Sequence, residues 1–295
     1  HATADRDLQL GRAYAKGDQH EYALQHYRAA ATQAMTDGDA QVLTEVAAYY
    51  AQQDQWPQAA GTAREALRHD PTNHTARTIL ATELAQQGKH QQAADELRLA
   101  LQHGADPIRT SARLAFTLEA AGEHLGAITA AEAALEAAGA HPLTSDTPGD
   151  AGEETQYALL ALLARAHHAI GELPEALAYA DAATQSPLAD HDMHAYAGDL
   201  AMLNHDHHAA IEHYGNADQA DADVLRATYH AHLHLEQYEA ARQAAQKLQG
   251  APGEALHLIA WTYALDGEAR TAIQAWQRAA QTDYQPAQQV LERIK

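Results

Sequence analysis

What most limits how this 295-residue chain can fold is a recurrence. Eight times an Ala opens the same short pattern: Ala23, Ala59, Ala93, Ala127, Ala176, Ala210, Ala241 and Ala272. The separations are 36, 34, 34, 49, 34, 31 and 31 residues. Self-similarity near a fixed period means stacked supersecondary units, each too small to bury its apolar face alone. The expectation is one extended array, and a binding scaffold rather than an enzyme.

The first copy shows the logic. Leu10, Gly11 and Tyr14 share one face of a helix, the polar turn Gly17-Asp18-Gln19 breaks it, and Ala23, Tyr27 and Ala30 form the stripe of a second helix. Small residues let the two backbones approach while large ones fill the space beside them. Seven of eight positions equivalent to Gly11 are small: Gly11, Ala47, Ala81, Ala115, Ala164, Gly198 and Ala260. Tyr229 is the exception and predicts a seventh hairpin that packs differently. Ala30, Ala66, Ala100, Ala134, Ala183, Ala217 and Ala279 close the second-helix stripe, with Leu248 departing. Gly88, Gly122, Gly171 and Gly267 stand five residues before the recurrent Ala, where a helix must end and reverse. Pro71, Pro107, Pro142, Pro187 and Pro252 punctuate the ends of second helices.

The pattern Leu10-Gly11-x2-Tyr14 followed by Ala23, Tyr27 and Ala30 resembles the tetratricopeptide repeat (TPR). So does Trp56-x2-Ala59-x3-Ala63-x2-Ala66-Leu67-x2-Asp70-Pro71. The resemblance spans about residues 4–285, although the third copy carries Leu80, Leu84 and Leu97 where aromatics are usual. It implies an all-α, right-handed α-solenoid of eight helix-turn-helix hairpins. Pro286–Lys295, with Val290, Leu291 and Ile294 at helical spacing, is read as a C-terminal capping helix over an open apolar end.

Two breaks interrupt the period. The 49-residue separation holds an extra stretch, Pro142–Gln156, whose Pro, Gly, Thr and acids cannot fold alone and predict an exposed loop. It divides the chain into residues 1–141 with four repeats, an acidic insertion at 142–156, and residues 157–295 with four repeats and the cap. The two 31-residue separations predict shorter connections near the end.

Composition narrows the partners. Lys and Arg number 19 against 40 acids, a net charge of −21. Such a field repels nucleic-acid phosphates and anionic lipid, so no nucleic acid is expected. The surplus reads either as a solvated surface or as recruitment of a basic partner. No apolar run approaches the ~18 residues that cross a bilayer, and no membrane insertion is expected. The chain opens on His1 without Met and without a basic-then-apolar leader, so any targeting segment is expected to have been removed. With no cysteine, disulfides, thiolate chemistry and Cys-based zinc sites are excluded. A Cys-free chain favours an oxidising site such as the periplasm or bacterial envelope over the cytoplasm. The 21 histidines could together cancel the net charge, since free His titrates near ~6.5. A solubility minimum near the pI of about 5.3 follows.

Catalytic signals are absent. None of Ser111, Ser145 and Ser186 sits in a G-x-S-x-G elbow, and no phosphate loop, HExxH or EF-hand pattern occurs. Asp218, Asp221 and Asp223 lack the turn Gly and closing Glu of a calcium loop. Nine histidines fall between His191 and His234; His230 and His234 share a helix face, and His205 and His208 flank a turn. Two imidazoles do not make a metal site without further ligands, so no metal or cofactor is assigned.

The resemblance further implies that first helices line a concave face. There the residue after each small position points inward: Arg12, Ala48, Thr82, Phe116, Arg165, Asp199, His230 and Trp261. Two zones result, for protein or peptide ligands. Arg109, Arg113, Phe116 and Arg165 form a basic patch with one aromatic; Tyr196, Arg226, His230, His257 and Trp261 form an aromatic, proton-sensitive one, and His234 one turn away extends the face. Against this, Phe116 and Trp261 would pack between hairpins and the arginines pair with neighbouring acids. The expected function is a non-enzymatic scaffold holding a peptide or partner helix, in envelope assembly or secretion. The alternatives are a self-assembling scaffold whose groove takes a second copy, a His-rich metal-binding protein, and a regulatory module of a larger enzyme.

Overall fold

The structure is a computed structural model that describes residues 2–139, 152–248 and 250–294. Among these, seventeen α-helices follow one another without a strand. Four hairpins come first: α1 (Ala2–Lys16) with α2 (His20–Asp37), α3 (Ala40–Gln52) with α4 (Trp56–His69), α5 (His74–Gln86) with α6 (His90–Gln102), and α7 (Pro107–Ala120) with α8 (His124–Ala137). The later four are α9 (Glu153–Ala169) with α10 (Leu173–Thr184), α11 (His191–Leu203) with α12 (His207–Asn216), α13 (Ala222–His234) with α14 (Tyr238–Gln246), and α15 (Pro252–Leu265) with α16 (Ala269–Ala280). A last helix, α17 (Gln285–Arg293), closes the chain.

The helices gather into two compact units. One holds α1–α8 and α9 as far as Ala166; the other begins at His167 and holds the end of α9 and α10–α17. Residues 142–151 of the expected insertion, Pro142 among them, lie outside the described residues, whereas Glu153–Gln156 form the first turn of α9.

The recurrent alanines are the packing centres. All eight, from Ala23 to Ala272, are fully buried. The small positions of the first helices are buried too, and two show why they are small. A Cβ on Gly11 would stand 3.1 Å from the Tyr27 ring; one on Gly198 would stand 2.5 Å from Tyr214. In both hairpins the second-helix tyrosine occupies the space that the missing side chain leaves.

The seventh hairpin reverses this size pair, in keeping with its sequence exception. Tyr229 fills the small position and is buried, and the tyrosine's register position on α14 is taken by Ala245. The two belong to one apolar cluster with Ala241 and Ala244. The Tyr229 hydroxyl donates to the Leu258 carbonyl of α15 at 3.0 Å, and burial pushes its pKa up to about 12.

All eight hairpins turn the same way. Five residues before the recurrent Ala the backbone takes positive φ, at Gly88, Gly122, Gly171 and Gly267, and equally at Asp18, Asp54, His205 and Glu236. The next residue donates its N–H to the carbonyl five positions back, from Gln19 to Tyr14, Gln55 to Tyr50 and so on to Glu268 to Tyr263. This is the Schellman closure, which satisfies an otherwise orphaned helix carbonyl. Side-chain caps come chiefly from the connections between hairpins, where Asp39, Asn73, Asp106, Asp190 and Asp221 each accept from first-turn N–H groups of the following first helix; within a hairpin turn Asp206 caps α12 by accepting from Ala209 N–H. That role accounts for Asp221, while Asp218 accepts from Ala220 N–H and Asp223 pairs with Arg226.

At the end of the chain α17 covers the last hairpin, burying Ala287 and half-burying Val290 and Leu291 against Trp276 and Ala279. Ile294 lies just past the helix and is exposed, so the cap uses Ala287 where the sequence pattern points to Ile294.

Candidate protein-interaction surface

In the first unit, α7 carries Arg109, Arg113 and Phe116 at i, i+4 and i+7, on one helix face. All three are exposed. Asp106 caps the helix by accepting from the backbone N–H of Arg109 at 2.8 Å, a bond that does not involve the guanidinium. The Arg113 guanidinium reaches α5 and donates to the Thr82 hydroxyl, the residue in Phe116's register position one hairpin earlier. Although Arg113 is open to solvent, surrounding protein lowers its pKa below the usual arginine range by desolvation. Arginine starts so far above neutrality that the group remains a cation. Arg165 is exposed on the stretch of α9 belonging to this unit.

No ion pair engages Arg109, Arg113 or Arg165 among the described residues. Arg12, Arg68, Arg77 and Arg98 of the unit are taken up by acids, whereas Arg6, Arg28 and Arg64 also stand without an ion pair among the described residues. Arg12 pairs with Glu45, Arg77 with Glu96 at 2.6 Å, and Arg98 with Asp95 at 2.9 Å. Separating the two sets is beyond sequence inspection, yet one signal exists. Glu45 follows Arg12 by about one period, which places the partners on adjoining first helices.

In the second unit the expected patch resolves into four groups. Tyr196 meets His168, its hydroxyl 3.1 Å from Nδ1. Arg226 is held by Glu254 through two bonds of 2.7 and 3.0 Å, and by Asp223 at 2.7 Å. Its hydrogen bond to Glu254 is the main reason its pKa rises and that of Glu254 falls. Arg226 is therefore a strut between α13 and α15. His257 and Trp261, one turn apart on α15, are bonded through Trp261 Nε1–H to His257 Nε2 at 3.0 Å. Trp261 stands edge-on to Trp276 with centroids 5.2 Å apart, yet remains 42% exposed. His257 lies 5.3 Å from the Tyr284 ring, and desolvation lowers its pKa.

His230 and His234 both reach solvent on α13. Desolvation and then the charge of His234 lower the pKa of His230. His234 also stacks on His207 of α12, a residue outside the expected patch. Among the described residues no group of three or more His, Asp or Glu is arranged to hold a metal ion, and no helix is long and apolar enough to cross a membrane.

No protein-family model and no curated protein matches the chain. Solved structures do. YrrB, a TPR protein with an unusual peptide-binding site, is 18% identical with a TM-score of 0.51, over 73% of this chain and 97% of its own. A tetratricopeptide repeat protein from Parabacteroides merdae ATCC 43184 is 11% identical with a TM-score of 0.52, over 99% and 98%. A chain of Naa15/Naa10 bound to HypK-THB is 14% identical with a TM-score of 0.60, over 95% of this chain and 42% of that one. Consecutive hairpins centred on buried alanines, closed by one repeated turn and similar in backbone to these structures, give this chain the tetratricopeptide-repeat fold.

Proposed function

We propose that the chain is a non-enzymatic scaffold that holds a protein or peptide segment across the first helices of its hairpins. Arg109, Arg113 and Phe116 of α7, with Arg165 of α9, are the principal recognition surface. One observation carries this reading: on a chain with 40 acids and 19 bases, Arg109 and Arg113 share one exposed face of α7 with Phe116, and neither they nor Arg165 have an acidic partner among the described residues. Three cations without an ion pair, one of them bonded to the neutral Thr82 hydroxyl, suit an acidic segment supplied from outside, with Phe116 as its apolar anchor. A surface built on packed helices loses little ordering entropy on binding. The peptide-binding site of YrrB, on the same fold, supports the class of partner. The cysteine-free composition suits assembly or secretion in the bacterial envelope.

The test is a panel of acidic peptides containing an aromatic residue, titrated against wild type and Arg113→Glu/Arg165→Glu. The double variant is expected to lose at least tenfold in affinity at unchanged helicity by circular dichroism. Equal affinity in the variant overturns the reading. A wild type that prefers basic peptides overturns it too, and favours the acidic surface as the recognition element.

A further inference from the structure

The sixth and seventh hairpins meet through two histidines. His207 is the first residue of α12 and His234 the last of α13; their rings stack with centroids 4.3 Å apart and planes 7° from parallel. His207 Nδ1 is buried and has no hydrogen-bond partner among the described residues. Two neutral imidazoles in this arrangement attract by dispersion, but two imidazolium ions would repel at contact distance. A proton on the buried Nδ1 would also leave an N–H donor without an acceptor, and it would sit at the positive end of the α12 dipole.

We propose that this stack is a proton-operated joint: neutral rings hold α12 to α13, and mild acid releases them. The titratable groups around His207 are His205, Asp206 and His208 beside it in the chain and His234 from α13, which in turn acts on His230 of the same helix. Only Asp206 favours the cation. Desolvation is the largest cause of a lowered His207 pKa, followed by His234 and His205. A released ring titrating near ~6.5 therefore binds more protons than the stacked one. The joint is at full strength above that value and weakens as pH falls through the depressed pKa.

Imidazole resonances followed by NMR between pH 8 and 6 test this on the whole chain, which stays above its pI of about 5.3. His207 is expected to titrate below the free-imidazole range, and His234→Gln to raise its pKa by half a unit or more. Hydrogen exchange gives a second readout. Protection of α12 and α13, corrected for intrinsic exchange, should fall several-fold from pH 7.5 to 6 in wild type. It should stay level in His207→Gln/His234→Gln. A His207 that titrates as free imidazole and ignores His234→Gln overturns the proposal. So does a double variant that loses protection as wild type does.

Discussion

At the scale of single residues, the close approach of first and second helices depends on what is missing from a side chain. Gly198 faces the Tyr214 ring, which is buried and fixed by its hydroxyl's 2.7 Å bond to Asp199. Gly11 faces Tyr27 with more room. Gly198→Ala is therefore expected to lower stability by about 1–3 kcal/mol, the usual range for overfilling a packed site. Gly11→Ala should cost less, and urea denaturation of the two variants gives the comparison. Such sites were legible in the sequence because small residues recur in register. The turns were legible only in part: glycine marks four of them, whereas Asp18, Asp54, His205 and Glu236 adopt the same positive φ without announcing it. Position within the period identifies them, because the Schellman closure, rather than the residue type, sets the backbone there. The free and engaged arginines were harder still. Arg226 and Arg113 read alike in the sequence, and only the placement of Glu254 against the first separates a strut from an open cation.

At the scale of elements, the seventh hairpin is the informative departure. A large residue on α13 with a small one on α14 fills the same kind of space that a glycine and a tyrosine fill in the first and sixth hairpins. Tyr229→Ala should cost about 3–5 kcal/mol, as truncating a buried aromatic does. Adding Ala245→Tyr should return part of that loss, because the ring would then enter from the other helix. A double-mutant cycle measured by urea denaturation tests this, and additive losses would mean that the two positions do not share a space. The sequence foretold different packing here because a tyrosine broke a row of small residues. It did not reveal the compensation, since an alanine at Ala245's position is common to other hairpins. The first turn of α9 was misread for a related reason. Glu153–Gln156 are polar enough to pass for loop, but acids are favoured beside the positive end of a helix dipole.

For the whole molecule, net charge is the property most open to pH. A chain at −21 with 21 histidines changes its electrostatic character within about two pH units of neutrality. Turbidity across pH 7.5 to 4.5 should show a solubility minimum near 5.3, and an even profile would mean that the histidines stay neutral through that range. This was legible from composition alone. Which histidines titrate late was not, because burial and ring stacking are tertiary properties. The reversed size pair also limits how such chains can be recombined. A graft that moves α13 without α14 would bring an aromatic ring against whatever the host's second helix presents, with no vacancy to receive it. The smallest transferable piece of this chain is accordingly a complete hairpin, and any lineage that shuffles its segments is held to cuts at the inter-hairpin loops.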